Sequence, residues 1–170
     1  MALKRRNAAV ESVDAGQDTL QIVAFKVGGE LYGLDIGCVA EIDRMQTITK
    51  VPKALPFVEG VIHLRDMIIP VIDLGKRFGL GPTAEGRHTR IIIARLRGQA
   101  VGLVVSAVTE VLTIPLKSLG PAPPLTFDQA TRFVAGMARL KDGLISVLSL
   151  DRILSTEEVE LLHAQQQNLF

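Results

Sequence analysis

The chain of 170 residues has no tryptophan, one tyrosine and one cysteine, and aromatic residues make up only 4% of it. A single cysteine, Cys38, excludes an internal disulfide framework and fits a reducing compartment. No apolar run approaches the ~20 residues needed to span a bilayer. The basic N-terminus lacks the apolar stretch of a signal peptide. A cytoplasmic protein without direct membrane insertion is therefore expected. The formal net charge is +1, with acids and bases interspersed, so overall charge selects no polyanion. Nucleic-acid binding calls for a basic surface with stacking aromatics, and neither is evident. There is no GxSxG, HExxH, CxxC or phosphate-binding glycine loop, and His63, His88 and His163 are far apart. No metal, cofactor or catalytic centre is expected.

What the chain does have is a repeat. Phe57 to Leu74 (FVEGVIHLRDMIIPVIDL) aligns without a gap on Phe133 to Leu150 (FVAGMARLKDGLISVLSL). Identical pairs are Phe57/Phe133, Val58/Val134, Gly60/Gly136, Leu64/Leu140, Asp66/Asp142, Ile69/Ile145, Val71/Val147 and Leu74/Leu150. Upstream, Ile22 to Ile42 aligns on Ile91 to Val111, with Ile22/Ile91, Gly29/Gly98, Gly33/Gly102, Leu34/Leu103, Val39/Val108 and Glu41/Glu110 identical. Two segments recurring in the same order indicate a duplicated β-unit. The copies span about residues 19–82 and 88–152. Cys38 aligns with Ala107, which favours a small packed residue over a reactive thiol. Asp35 and Asp73 each end a strand, where turn chemistry accounts for Asp. Their counterparts, Val104 and Ser149, carry no carboxylate.

Residues 1–17 are polar and read as a mobile tail, Lys4–Arg6 included. Leu20–Val27 and Glu30–Asp35 flank Gly28-Gly29 as a hairpin. Residues 36–42 read as a helical turn or a twisted edge segment. Phe57–Leu64 and Met67–Asp73 form a second hairpin around Arg65-Asp66, and Pro70 places its strand at an edge or a bulge. Leu74–Phe78 reads as a short helical turn, and 79–86 as the boundary between copies. Arg90–Leu96 with Ala100–Ser106, and Phe133–Leu140 with Leu144–Ser149, complete four hairpins. Leu112–Arg132 reads as a connector, with Thr126 a cap for a short helix near Gln129. Ser155 and Glu158 have capping-box spacing for a terminal helix over 156–167. Short strands and tight turns predict two small barrels of about five strands, one per copy. Their interiors are small, so much of the core is expected between them, built mainly from aliphatic side chains. One domain over 18–167 follows.

The motifs VGGELYGLDIGCVAEI and FVEGVIHLRDMIIPVIDLGKRFG, with VGLVVSAVTEVL and FVAGMARLKDGLISVLSLDRIL in the second copy, resemble the CheW family of chemotaxis adaptors. The resemblance covers about residues 19–163. It implies a mainly β fold of two interlocked five-stranded SH3-like β-barrels with a shared core and a C-terminal helix. It also implies a non-catalytic adaptor. Its partners would be a methyl-accepting chemoreceptor's cytoplasmic tip and a CheA-type histidine kinase regulatory domain, in arrays at the inner membrane. One position departs from the family: Asp66 stands where Gly is usual, which leaves the turn shape open.

Arg65 is the first candidate for partner binding, with Glu41 as its ionic partner. Lys141 and Glu110 occupy the aligned positions, so a purely structural pair is the competing reading. Ile36, Val39 and Ile42 form an apolar stripe suited either to a receptor helix or to the core. Gly60, Val61 and Asp66 complete the candidate set. Arg65 for Lys141, Pro70 for Ser146 and Asp73 for Ser149 mark the first copy as the more specialised, and the receptor is expected there. Three alternatives stand: an adaptor of pilus or gliding motility, a small barrel enzyme using His63, Asp73 or Glu41 in an enclosed pocket, and a detached regulatory module of a kinase.

Overall fold

The computed structural model describes residues 5–6, 18–121 and 129–167. The expected tail over 1–17 falls outside these residues except for Arg5–Arg6, as does the Thr126 cap. Each copy contributes five strands. The first has β2 (Thr19–Val27), β3 (Glu30–Asp35), β4 (Val39–Arg44), β5 (Val58–Leu64) and β6 (Met67–Asp73), followed by the helical turn α1 (Leu74–Arg77). The second has β7 (Arg90–Leu96), β8 (Gln99–Val105), β9 (Ala107–Pro115), β10 (Val134–Leu140) and β11 (Gly143–Leu148), followed by α2 (Leu150–Ile153). A two-residue strand, β1 (Arg5–Arg6), pairs in parallel with β9. Helix α3 (Thr156–Gln167) ends the described chain.

The copies do not fold side by side. One sheet has the order β1-β9-β2-β3-β11-β10, the other β4-β7-β8-β6-β5. Barrel A thus takes its first hairpin from copy one and its remaining long strands from copy two. Barrel B is built the opposite way. Two matching parallel junctions make the exchange: Val147 opposite Gly33, and Val71 opposite Gly102. This corrects the expectation of one barrel per copy and yields two interlocked five-stranded SH3-like barrels. The repeated glycines sit at these junctions, where neighbouring side chains pack close. A Cβ on Gly33 would lie 2.6 Å from Ile22, and one on Gly102 would lie 3.0 Å from the aligned Ile91.

Interlocking explains the apolar runs. In β7, Ile91 and Ile93 fill the interior of barrel B, while Ile92, Ala94 and Leu96 face the core between the barrels. Both faces of the strand are buried, so hydrophobicity does not alternate with polarity. The between-barrel core is the largest of three clusters and also takes in Ile153, Val159 and Leu162 from the helices. Aromatics are scarce but concentrated here. Phe25, Tyr32, Phe78 and Phe133 form a file with successive ring centroids 6.3, 5.0 and 5.5 Å apart. The expectation of mainly aliphatic packing holds in all three clusters, with this file of rings set into the between-barrel core.

The repeated Phe57 and Phe133 meet at the Arg77 guanidinium, 4.2 and 5.1 Å from their ring centroids. Arg77 also donates to the Ile153 carbonyl and to Glu158, each at 2.8 Å. Burial works against its charge, and the Glu158 carboxylate offsets part of that. Glu158 completes the capping box expected at α3: its carboxylate accepts from Ser155 N at 2.8 Å, and Ser155 Oγ accepts from Glu158 N at 3.1 Å.

Two further expectations are corrected. Pro70 lies in an inner strand, because β6 pairs with both β5 and β8. The parallel ladder to β8 begins only at Val71, so the missing donor of Pro70 breaks no bond there. The connector expected from Leu112 instead begins after the nine-residue strand β9, whose Leu112 and Ile114 fill barrel A. Residues 36–42 combine both readings offered for them, a 3-10 turn at Ile36–Cys38 followed by β4.

Candidate functional site

Arg65 and Glu41 meet at the end of barrel B. Strand β4 presents Glu41, and the turn between β5 and β6 presents Arg65. The guanidinium spans the carboxylate with donor–acceptor distances of 3.0 and 3.4 Å. The Arg65 side chain remains 75% exposed, so the pair adds at most ~1 kcal/mol to stability. Arg65 itself takes the left-handed conformation, with φ of 55°. The turn shape that Asp66 left open is thus one with its left-handed residue at Arg65, one position before Asp66. A non-glycine residue in this region costs ~1 kcal/mol or more. Asp66 and the neighbouring Met67 are exposed, Met67 at 52%.

Asp43 follows Glu41 on the same face of β4. Burial pushes its carboxyl up, and Glu41 adds repulsion and a hydrogen bond that favours the protonated form. Arg65 acts in the opposite direction.

The equivalent end of barrel A holds Glu110 and Lys141, which line one cleft together with Lys26, Glu30 and Asp142. An acid and a base therefore recur at both barrel ends. Leu144, 49% exposed, stands beside the second cluster much as Met67 stands beside the first.

Ile36, Val39 and Ile42 are all half-buried. Val39 and Ile42 pack against the between-barrel core, and Ile36 does not join that cluster. Val39 and Ile42 therefore belong to the margin of the core, and all three residues keep part of their surface open. Gly60 and Val61 lie inside the fold, with Val61 only 4% exposed. The group that approaches Gly60 is the chain's own backbone: a Cβ there would lie 2.1 Å from the Thr49 carbonyl oxygen, and φ is 143°. Val61 exchanges both backbone hydrogen bonds with Thr49, at 2.8 and 2.9 Å. These two residues shape the surface from beneath.

Beside the stripe lies a groove of about 460 Å³ between the barrels. Leu20, Leu119 and Leu148 give it an apolar lining, and Arg95, Arg97, Asp35 and Asp151 are among its polar residues. Cys38 also lines it. Burial pushes the Cys38 thiol up, and the Asp35 and Asp151 carboxylates push it further.

The aligned groove of the first copy contains Glu59 for Ala135, Asp73 for Ser149 and Val104 for Asp35. The connector between the copies runs along it. Asp73 is buried and accepts from Gly75 N at 2.8 Å, Thr83 N at 2.9 Å and Thr83 Oγ1 at 2.6 Å. Ser149 makes no such side-chain cap. Asp73 is thus tied into α1 and the connector. His63 stands exposed in β5, and Glu41 is paired with Arg65. Among the described residues no cluster of three His, Cys, Asp or Glu side chains could hold a metal ion. Among the same residues no helix is long and apolar enough to cross a membrane.

Comparison with known proteins agrees with this architecture. The family model of the CheW-like domain matches residues 21–158. Chemotaxis protein CheW of Klebsiella aerogenes is 30% identical over 142 residues, which are 84% of this chain and 86% of that protein. A probable chemotaxis protein CheW of Rhizobium etli is 31% identical over 152 residues, 89% of this chain and 97% of that one. The crystal structure of scaffolding protein TtCheW from Thermoanaerobacter tengcongensis superposes with a TM-score of 0.75 at 43% identity. It covers 83% of this chain and 96% of its own. The motifs, the strand exchange and these similarities agree: the chain belongs to the CheW family of chemotaxis scaffold proteins.

Proposed function

We propose that this protein is a non-catalytic adaptor that joins chemoreceptor signalling tips to the regulatory domain of a CheA-type histidine kinase. Family membership over most of the chain is the observation that carries this reading. The structure supports it with surfaces of the right kind. Each barrel end presents an acid and a base beside an exposed apolar side chain, Met67 or Leu144. Such mixed patches suit reversible protein docking. One or both barrel ends pack against the kinase domain. The receptor helix lies along Ile36, Val39 and Ile42 and reaches Arg65, Glu41 and Asp66 at the end of barrel B. Gly60 and Val61 hold that surface in place. Signal passes by simultaneous binding, because receptor state biases the geometry of the bound complex. The protein works in the cytoplasm, in receptor arrays at the inner membrane, as a single domain over residues 18–167.

The direct test is titration calorimetry of the purified protein against the isolated regulatory domain of a CheA-type kinase from the same genome. Saturable binding is expected. No affinity for any such domain would overturn the adaptor reading.

A further inference from the structure

We infer that Arg97 is a recognition residue of the groove between the barrels and reads a carboxylate on the docked receptor helix; this rests on the adaptor reading above. Arg97 opens the two-residue turn between β7 and β8 with φ of 50°, and Gly98 follows with φ of 79°. Positive φ at both turn positions favours Gly, Asn or Asp, and an arginine there carries strain of order 1 kcal/mol. The first copy has glycine at the aligned position, Gly28, with φ of 59°. That turn is covered: a Cβ on Gly28 would lie 2.8 Å from Leu80 Cδ1 of the connector. The Arg97 turn is exposed among the described residues, and Arg97 lines the groove between the barrels.

Arg97 is exposed, and among the described residues its side chain makes no hydrogen bond or ion pair. Arg95, two residues earlier in β7, lines the same groove and is equally exposed and unpaired among the described residues. Two guanidinium groups therefore stand beside the groove, and among the described residues neither forms an ion pair. Of the two carboxylates that also line it, Asp35 is engaged at Gly37 N, 2.9 Å away. Guanidinium forks match carboxylates in bidentate geometry. The complementary occupant is an amphipathic helix with leucine-type residues on Leu20, Leu119 and Leu148, and a Glu or Asp beside Arg97. An arginine at a strained turn position then has a reason to be there.

The test compares Arg97→Gly and Arg97→Glu with the unaltered protein. Each is titrated against a purified cytoplasmic tip fragment of a chemoreceptor from the same genome, and separately against the kinase regulatory domain. R97G is expected to keep or raise the thermal midpoint while receptor affinity falls about fivefold or more. R97E is expected to lower receptor affinity about tenfold or more, with kinase affinity within about twofold of the unaltered protein. Unchanged receptor affinity in R97G, or equal or tighter binding in R97E, would overturn the inference and leave the adaptor reading standing. An equal loss of kinase affinity would also overturn it, as would a fall in the R97G midpoint. If the unaltered protein does not bind the receptor fragment, the adaptor reading itself fails first.

Discussion

The two inter-barrel grooves start from aligned residues and end differently. On the Asp73 side, the connector lines the groove, bonds to the buried carboxylate through Thr83 and covers Gly28 with Leu80. On the Ser149 side, the cap is unused, and an arginine replaces the glycine of the turn. Duplication supplied two equivalent surfaces. One was used to bind the chain to itself through the Asp73 carboxylate, and the other lacks that cap and carries Arg95 and Arg97 on its lining. The barrel ends show a smaller version of the same divergence, with Arg65 and Glu41 at one and Lys141 and Glu110 at the other.

The sharpest contrast between copies lies in the repeated glycines. Gly60→Ala forces a Cβ against the Thr49 carbonyl oxygen at positive φ, and a loss of ~3 kcal/mol or more is expected. Gly136→Ala meets the Gly120 carbonyl oxygen at 3.3 Å with an ordinary φ, so about 1 kcal/mol is expected. Urea denaturation of both variants measures the difference; equal losses would remove the distinction. Next, Asp73→Ala leaves Thr83 and the α1 amides without their acceptor and should cost ~2–3 kcal/mol. Ser149→Ala should cost under ~0.5 kcal/mol, because no side-chain cap is lost. The same denaturation experiment checks that ordering.

Arg65→Glu separates binding from stability. The exposed pair contributes little to folding, so a change of at most ~1 kcal/mol is expected, while kinase activation in a receptor-coupled assay should fall sharply. Unchanged activation would remove Arg65 from the mechanism. The smallest effect concerns Asp43, whose carboxyl is raised mainly by burial and then by Glu41. The folded state holds that proton more tightly than the unfolded chain does. Its contribution to stability is therefore full below the ordinary aspartate value and is lost as pH rises through the raised one. Asp43→Asn should flatten the thermal midpoint across that acidic window; a parallel profile would contradict it.

Much of this was legible in the sequence, for physical reasons. Tight glycine turns and β-branched runs located the four hairpins, and a capping box located α3. The gapless repeat exposed the duplication. Strand exchange was not legible from the residues alone, because a strand's periodicity does not say which copy's hairpin it will pair with. Strand β9 was missed because its register is bulged against β2 between Ala24 and Phe25. Pro70 misled because a missing donor matters only where a ladder runs, and the β8 ladder starts one residue later. At the site, Arg65 and Glu41 could be paired from the repeat. The lining of the groove could not be found that way, since it depends on how the copies interlock.

The central claim is that one molecule holds receptor and kinase together on separate surfaces. Co-sedimentation tests it: the kinase regulatory domain is mixed with receptor-bearing membranes, with and without this protein. The domain should pellet only when the protein is present, and the pelleted amount should fall with Arg65→Glu. Pelleting that is independent of the protein, or no pelleting in its presence, would contradict the account.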